Sequence, residues 1–487
     1  MPKIKTYDLI VIGSGPAGEK AAVKAAYFGK KVALIEKSPD TGGAGVQTGT
    51  LPSKTLKETA LYFSRVYEKH IFESTEKHSA HTKYKQFTYR RDIVRNDMQK
   101  EVDNNLIRHK VDVYTGFASF IDAHKIQIKG TGDIIIYGKY IIIATGSYPM
   151  NPSEIPFDGK RILDSDTILK IKRFPKSLCV IGAGVIGCEY ATIYAAMGVK
   201  VYLVNNRDKI LPFLDMEIAE ALVKHMNEQG IEILFNTSIT NYSKPKKASD
   251  SIQMTLRNGE ILESDMVLYA AGRCGNTKGL NCDKAGIITG DREAIPVNEF
   301  YVTNIPHIYA VGDVIGFPAL ASTSMDQGRS AISHMFGTND LDCVQKIFPY
   351  GIYTVPEVSM VGMTEQEVLS KGIKYNTGVS CVSDIARGKI QGSPDNGFLK
   401  LVFDSESKVI LGVHIIGRIA TELIHYGMTL VQDKKTLDQM IATVFNYPTF
   451  HDLYKYAAYD GLGNLSGKNI KNPVKGKIVF TYTCNKL

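Results

Sequence analysis

A chain that repeats one glycine pattern at two places has few folds open to it. Residues 180 to 205 restart the pattern of residues 11 to 36, with 11 identities in 26 positions. In the first copy an apolar run, Asp8-Leu-Ile-Val-Ile, feeds Gly13-Ser-Gly15-Pro-Ala-Gly18; an Ala-rich segment follows, and a second apolar run, Val32-Ala-Leu-Ile, ends on Glu36. The second copy opens Val180-Ile-Gly182-Ala-Gly184-Val-Ile-Gly187. Strand, glycine turn, helix and strand in this order make the βαβ unit that binds dinucleotides. The first glycine permits the tight turn, the second lets a pyrophosphate approach the helix N-terminus, and the third lets the helix close onto the strand. Glu36 is then placed to hold a ribose hydroxyl. The repeat predicts an α/β fold with two Rossmann-like dinucleotide-binding domains.

The rest of the chain is arranged around these copies. Thr303 to Asp313 reads as a strand ending at an acid and is expected to rejoin the first domain. Ile141 to Ser147, a strand running into a small-residue turn, is the expected crossover into the second domain. Residues 55 to 110 read as long amphipathic helices of mixed charge, Val111 to Ile143 alternates as strands do, and 250 to 272 reads as strands ending in Ala270-Ala271-Gly272-Arg273. After about residue 343 no third fingerprint appears. Strand-like runs (Phe398 to Phe403, Val409 to Ile416) give way to helix-like ones (Thr421 to Gln432, Tyr454 to Leu462), a separate α+β domain. The expected division is 1–150 and 273–342 for the first nucleotide domain, 151–272 for the second, 343–462 for the α+β domain, and 463–487 for a basic tail, disordered or forming a short strand through Ile478-Val-Phe.

Net charge is +8 at 487 residues. Lys468, Lys471, Lys475, Lys477 and Lys486 supply five of those charges in the tail, which contains no acid, so the remainder is close to neutral and a nucleic-acid partner is not expected. Cys179, Cys188, Cys274, Cys282, Cys343, Cys381 and Cys484 show no metal-type or redox-type spacing and read as free thiols, with Cys188 a small packing residue. No apolar run approaches the roughly 18 residues of a membrane span, and the first strand begins without a signal peptide, so a cytoplasmic location and no membrane partner are expected.

Two fingerprints, the Thr303 to Asp313 segment and the closing α+β domain together resemble the two-dinucleotide flavoprotein family that includes glutathione reductase and dihydrolipoamide dehydrogenase, from about residue 5 to residue 462. The resemblance implies FAD in the first site, one per subunit, NAD(P) in the second, and a homodimer formed through the last domain. It implies catalytic roles for Lys54 and Glu189, paired near the flavin, with Asp313 on the ribityl chain. It further implies cofactor contacts at Lys37, Thr41, Gly42, Gly43, Gly45, Gly116, Phe117, Ala118, Thr145, Gly146, Asn205, Asn206, Arg207, Gly272, Arg273 and Ala321, besides the fingerprint glycines and Glu36. No metal site is implied. His414 and His425 read as packing or interface residues.

Two motifs of the family are present without their chemistry. Where its disulfide enzymes carry GGxCxxxGCxPSK, this chain reads Gly42-Gly43-Ala44-Gly45-Val46-Gln47-Thr48-Gly49-Thr50-Leu51-Pro52-Ser53-Lys54, with Gly45 and Thr50 at the cysteine positions. Where they carry HPTxxE, it reads Tyr447-Pro448-Thr449-Phe450-His451-Asp452. Disulfide reduction needs a thiolate and an acid/base to manage its proton, and neither is here. Hydride transfer between two nicotinamides through a flavin needs neither. Phe445 to Thr449, Gly187 to Ala191, Asn205 to Asp208 and Tyr309 to Gly316 resemble the soluble pyridine nucleotide transhydrogenases, and that activity, with NAD(H) and NADP(H) as substrates, is what the resemblance implies. A flavin NAD(P)H oxidase or diaphorase and a non-catalytic flavin-binding partner stay open as alternatives.

The fingerprints differ at one informative offset. Gly13 plus 23 is Glu36, and Gly182 plus 23 is Asn205. A carboxylate about 4 Å from a 2'-phosphate would cost on the order of 4 kcal/mol at an effective dielectric near 20. Asn205 removes that repulsion, its amide can still bond a 2'-hydroxyl for roughly 1 kcal/mol, and Arg207 can pair with the phosphate.

Overall fold

The computed structural model describes residues 4–67, 83–130, 132–243, 247, 250–338, 347–392 and 397–467. In chain order, β1 (Lys5–Ile12), α1 (Pro16–Tyr27) and β2 (Val32–Glu36) precede α2 (Gly43–Gln47), α3 (Thr50–Ser64) and α4 (Tyr84–Arg108). Strands β3 (Asp112–Phe120), β4 (Lys125–Gly130), β5 (Ile134–Ile143), β6 (Ser147–Pro149) and β7 (Ile162–Asp164) follow, then β8 (Ser177–Ile181), α5 (Val185–Ala196), β9 (Lys200–Val204), α6 (Met216–Glu228) and β10 (Glu232–Leu234). The middle closes with β11 (Ile239–Ser243), β12 (Ile252–Leu256), β13 (Ile261–Ser264), β14 (Met266–Tyr269), β15 (Arg273–Gly275), β16 (Ile308–Ala310) and α7 (Ala321–Phe336). The last stretch holds β17 (Tyr350–Ile352), β18 (Glu357–Gly362), α8 (Glu365–Ser370), β19 (Tyr375–Cys381), α9 (Ala386–Gln391), β20 (Phe398–Asp404), β21 (Ile410–Gly417), α10 (Ala420–Gln432), α11 (Leu437–Ala442) and α12 (Asp452–Leu465).

The chain forms two compact units. The first comprises Met1–Thr59, Lys83–Pro175 and Asp265–Lys346. Its sheet places β1 between β2 and β5 in parallel, adds β3 beyond β2 and β16 beyond β5, and bridges β3 to β5 through the antiparallel β4. Every residue of β2 is buried, as expected for a parallel strand covered on both faces. Helices α1 and α7 pack so closely that a Cβ on Gly328 would lie 2.3 Å from Ala17 O. β16 brings the late segment back to this sheet, with Ile308 opposite Ile141. β6 and β15 pair antiparallel, so the chain leaves and re-enters side by side.

The second unit comprises Ala60–Thr82, Lys176–Ser264 and Ile347–Leu487. It contains the parallel strands β8, β9 and β10 with helices α5 and α6, the antiparallel sheet β11–β12–β13, and the antiparallel sheet β17–β18–β21–β20–β19. In the last sheet Leu399, Leu401, Phe403, Val413 and Ile415 bury against α10 and α12, where Tyr454 donates to Leu423 O at 2.7 Å and accepts from Gly427 N at 3.0 Å. His414 is buried there with Nε2 on Met363 O at 3.0 Å, a packing role, whereas His425 is on the exposed face of α10. The helix expected over 454–462 runs on to Leu465, because nothing in Gly463-Asn-Leu interrupts it. The expected strand at 478–480, the lysines from Lys468 onward, and Cys343 and Cys484 lie outside the described residues. Among the described residues no helix is long and apolar enough to cross a membrane.

Candidate functional site

The two glycine turns share the same backbone conformation at their first glycine. Gly13 has φ +105° and a Cβ there would meet Ala144 O at 2.4 Å, so only glycine fits; Gly182 has φ +101°. A Cβ on Gly18 would lie 2.0 Å from Gly13 O, and one on Gly187 would lie 1.9 Å from Gly182 O, which explains the third glycine of each copy as helix-to-turn closure. The middle glycines are different. Gly15 and Gly184 cap α1 and α5 in extended conformation, open to any residue. A Cβ on Gly15 would meet nothing nearer than Gly43 Cα at 3.8 Å, and one on Gly184 would meet nothing within 4 Å. Among the described residues no contact demands glycine at either position, so each helix N-terminus carries a bare cradle of the kind a pyrophosphate fills.

Around the first cradle the polar groups converge. Glu36 Oε2 accepts from Ser14 N at 2.9 Å and Ser14 Oγ at 2.7 Å, and Oε1 accepts from Ser38 N at 3.0 Å. Ser14 Oγ in turn accepts from Gly42 N at 3.1 Å, and Gly43, at φ +54°, closes onto Gly15. Thr41 Oγ1 donates to Asp103 at 2.7 Å, while Lys37 is exposed. Gly45 faces the Pro16 ring, whose Cγ would be 2.8 Å from an added Cβ, so a cysteine here would require the ring or the backbone to shift. Lys54 lies one turn into α3, its Nζ donating to Ser53 Oγ at 3.4 Å. On β3, Thr115 pairs with Glu36, so Gly116, Phe117 and Ala118 continue past the end of β2. Ala118 is buried in the core and Phe117 is exposed beside Gly279.

A second polar knot forms where β5 ends. Ser147 Oγ donates to Asp313 Oδ2 at 2.9 Å and accepts from Arg273 Nε at 2.8 Å, while Arg273 Nη2 donates to Ser147 O at 2.9 Å. Arg273 also reaches Ser165 Oγ at 3.3 Å and stands 4.0 Å from Asp166. Asn276 donates to the carbonyls of Thr145 and Gly146. Asp313 is the second residue of a 3-10 turn, Gly312–Ile315, after β16, and Ala321 begins α7. Burial raises the Asp166 carboxyl above its usual value despite the Arg273 charge. Arg273 and Gly272 thus belong to the first unit, with Thr145, Gly146 and Asp313. Ser14 and Ser147, which sequence reasoning passed over, tie these groups together; Ser14 was signalled by its place between two fingerprint glycines, Ser147 by nothing local.

In the second unit Glu189 is 3% exposed and its Oε1 accepts from Tyr353 N at 3.0 Å, while Thr192 Oγ1, a turn later on α5, accepts from Val355 N at 3.2 Å. Cys188 is fully buried, donating to Ala183 O, and burial pushes its thiol far up; it is a packing residue as expected. Asn205 directly follows β9 and is 6% exposed; Asn206 and Arg207 are exposed. Among the described residues all cysteines are free, and no cysteine precedes Cys179 in the sequence.

With this geometry in place, comparison with known proteins is decisive. The pyridine nucleotide-disulphide oxidoreductase family model matches residues 7–328, and that family's dimerisation-domain model matches residues 348–458. The chain belongs to this family. Among curated members of the pyridine nucleotide-disulphide oxidoreductases, a soluble pyridine nucleotide transhydrogenase of Mycobacterium bovis is 41% identical over 472 residues, covering 96% of this chain and 99% of that protein. One from Sodalis glossinidius is 40% identical over 465 residues, covering 94% and 98%. Among solved structures, the Cu(II) complex of the HOCl-induced flavoprotein disulfide reductase RclA from Escherichia coli superposes with TM-score 0.84 at 26% identity, covering 94% of this chain and 99% of that one. Family membership carries with it the use of FAD and NAD(P), and the dimerisation domain points to a homo-oligomer.

Proposed function

We propose that this protein is a soluble transhydrogenase that carries out NADPH + NAD+ ⇌ NADP+ + NADH as a homodimer with one FAD per subunit. The observation that carries the reading is the pair Gly45 and Thr50: relatives at about 40% identity named as transhydrogenases span nearly the whole chain, while the disulfide positions hold no thiol and Gly45 lies tight against Pro16. FAD, when bound, supplies a two-electron carrier that accepts hydride from one nicotinamide and returns it to the other.

The residues divide that labour. The bare turn at Gly15 and the N-terminus of α1 would hold the pyrophosphate of FAD, Glu36 its adenosine ribose, and Asp313, steadied by Ser147 and Arg273, its ribityl hydroxyls. The matching turn at Gly184 receives either nicotinamide dinucleotide. Lys54 would supply a positive charge to the cofactor pocket of the first unit, where charge stabilisation needs no proton donor, and in the second unit Glu189 is anchored on Tyr353 N. No protein acid changes its protonation state in this scheme. That accounts for the tolerance of Tyr447, exposed on its loop, in the place of a histidine.

A single nicotinamide pocket serving both nucleotides in turn gives ping-pong kinetics. Parallel double-reciprocal lines for NADPH at several NAD+ concentrations are expected; intersecting lines would refute the shared pocket. Rapid oxygen consumption without NAD+ would instead identify an oxidase.

A further inference from the structure

The turns that follow β2 and β9 present opposite backbone polarity to the residue at the same fingerprint offset. At Glu36 the turn offers a donor, Ser38 N, at 3.0 Å. At Asn205 it offers acceptors: Nδ2 donates to Lys209 O at 2.8 Å and to Arg207 O at 3.2 Å. Because both neighbours are carbonyl oxygens, only the amide nitrogen can face them, which fixes the orientation of the side chain. A carboxylate at 205 would set its oxygens against two carbonyls with no proton between them. The turn itself therefore excludes an acid, before any ligand arrives.

The backbone of Asn205 is held as firmly as its side chain. Asn205 N donates to Leu234 O at 2.8 Å, Thr237 N donates to Asn205 O at 3.1 Å, and Asn236 N donates to Arg207 O at 3.1 Å. Arg207 O thus accepts from two sides. In a trans peptide the N–H points opposite to the preceding C=O, so drawing the Arg207 carbonyl inward turns the Asp208 N–H away from Asn205. Residues 206–209 are exposed, and Arg207 is the arginine they carry.

Resting on the transhydrogenase reading of this site, we propose that Asn205 is a positioning residue for nucleotide selectivity. It favours 2'-phosphorylated adenosine by fixing the 206–209 turn so that the Arg207 guanidinium and the outward Asp208 N–H are presented to the phosphate monoester, not by contacting the ribose with its own amide. The amide is already committed to the turn.

The test titrates FAD-loaded protein calorimetrically with adenosine 2',5'-bisphosphate and with ADP, comparing the native chain with Asn205→Ala, Arg207→Ala and the double variant. Each single variant is expected to weaken the bisphosphate about tenfold, the loss of one charge-assisted contact, with ADP affinity changed less than about twofold. The double variant should lose less than the product of the two single losses, because both changes act on the Arg207 contact. Equal weakening of both ligands by Asn205→Ala would make the asparagine a direct ribose contact and overturn the proposal, as would effects that multiply. Melting temperature and flavin content report whether Asn205→Ala folds. If it does not, Arg207→Ala still decides, since loss of this exposed arginine that leaves the bisphosphate preference intact refutes the mechanism. Failure of hydride transfer with this coupling present would count against the enzyme function alone; a native protein blind to the 2'-phosphate would overturn the positioning role whatever the hydride assay shows.

Discussion

Lys400 Nζ lies 2.9 Å from Asp215 Oδ1 with both side chains sealed from water, at 1% and 0% exposure. The same ammonium meets Glu217 at 3.1 Å and Glu365 at 2.5 Å, so one lysine fills a pocket of three carboxylates. Asp215 also caps α6 and accepts from Glu365 N at 3.1 Å at the start of α8. A helix of the second nucleotide-binding region is thereby fastened to the closing α+β region within one compact unit.

Lys400→Met should lower stability by about 3–5 kcal/mol, since it strands buried carboxylates without their cation. The sign with pH is specific. Orphaned carboxylates recover by taking up protons, so the deficit in melting temperature should be largest near neutrality and shrink toward pH 5. A deficit independent of pH would show that lost packing, not charge, is the cause.

In the native protein burial lowers the Lys400 pKa, but the charges of Asp215, Glu217 and Glu365 outweigh it and hold the ammonium well above its ordinary value. A raised lysine contributes stability that is fully present below the unfolded pKa of about 10.4 and is lost as pH rises through the folded value. Melting curves from about pH 10 to 12 should therefore fall more steeply for the native chain than for Lys400→Met.

The glycine turns separate folding from binding. Gly13→Ala forces an alanine to φ +105° against Ala144 O at 2.4 Å and should cost at least about 1–3 kcal/mol, with loss of the first domain. Gly15→Ala meets no protein atom nearer than 3.8 Å; it should fold with native circular dichroism yet purify without flavin absorbance. Gly184→Ala should keep its flavin and lose affinity for both NAD+ and NADP+. A flavin-replete Gly15→Ala would show that the pyrophosphate does not lie over that turn.

Reinstating cysteines should not reinstate a disulfide enzyme. In Gly45→Cys/Thr50→Cys the new Cβ at 45 lies 2.8 Å from Pro16 Cγ, an overpacking worth about 1–3 kcal/mol, and Tyr447 still offers no imidazole. Dithiol-dependent turnover in this variant would contradict the view that restored thiols alone do not make a disulfide enzyme of this chain.

Local pattern carried the fold a long way. The strands β3 to β5, β20 and β21 and the helices α10 and α12 were legible because alternation and amphipathic spacing are written within a few residues, and both fingerprints were legible because turn geometry allows glycine alone at Gly13 and Gly182. The interior ties were not. Lys400 and Asp215 are 185 residues apart and Ser147 and Arg273 are 126 apart; no short-range pattern pairs them. Asn205 was read by its chemistry toward a ligand, whereas its amide serves its own turn, a fact that depends on the orientation of two peptide planes.

The central claim is that hydride passes from NADPH to NAD+ through the protein's flavin with no thiol taking part. Anaerobic stopped-flow mixing tests it most directly. NADPH should bleach the flavin band without the long-wavelength charge-transfer absorption of a thiolate, and NAD+ added next should restore the oxidised spectrum with one NADH formed per flavin. A flavin that NADPH leaves oxidised, or that only oxygen restores, would contradict the account.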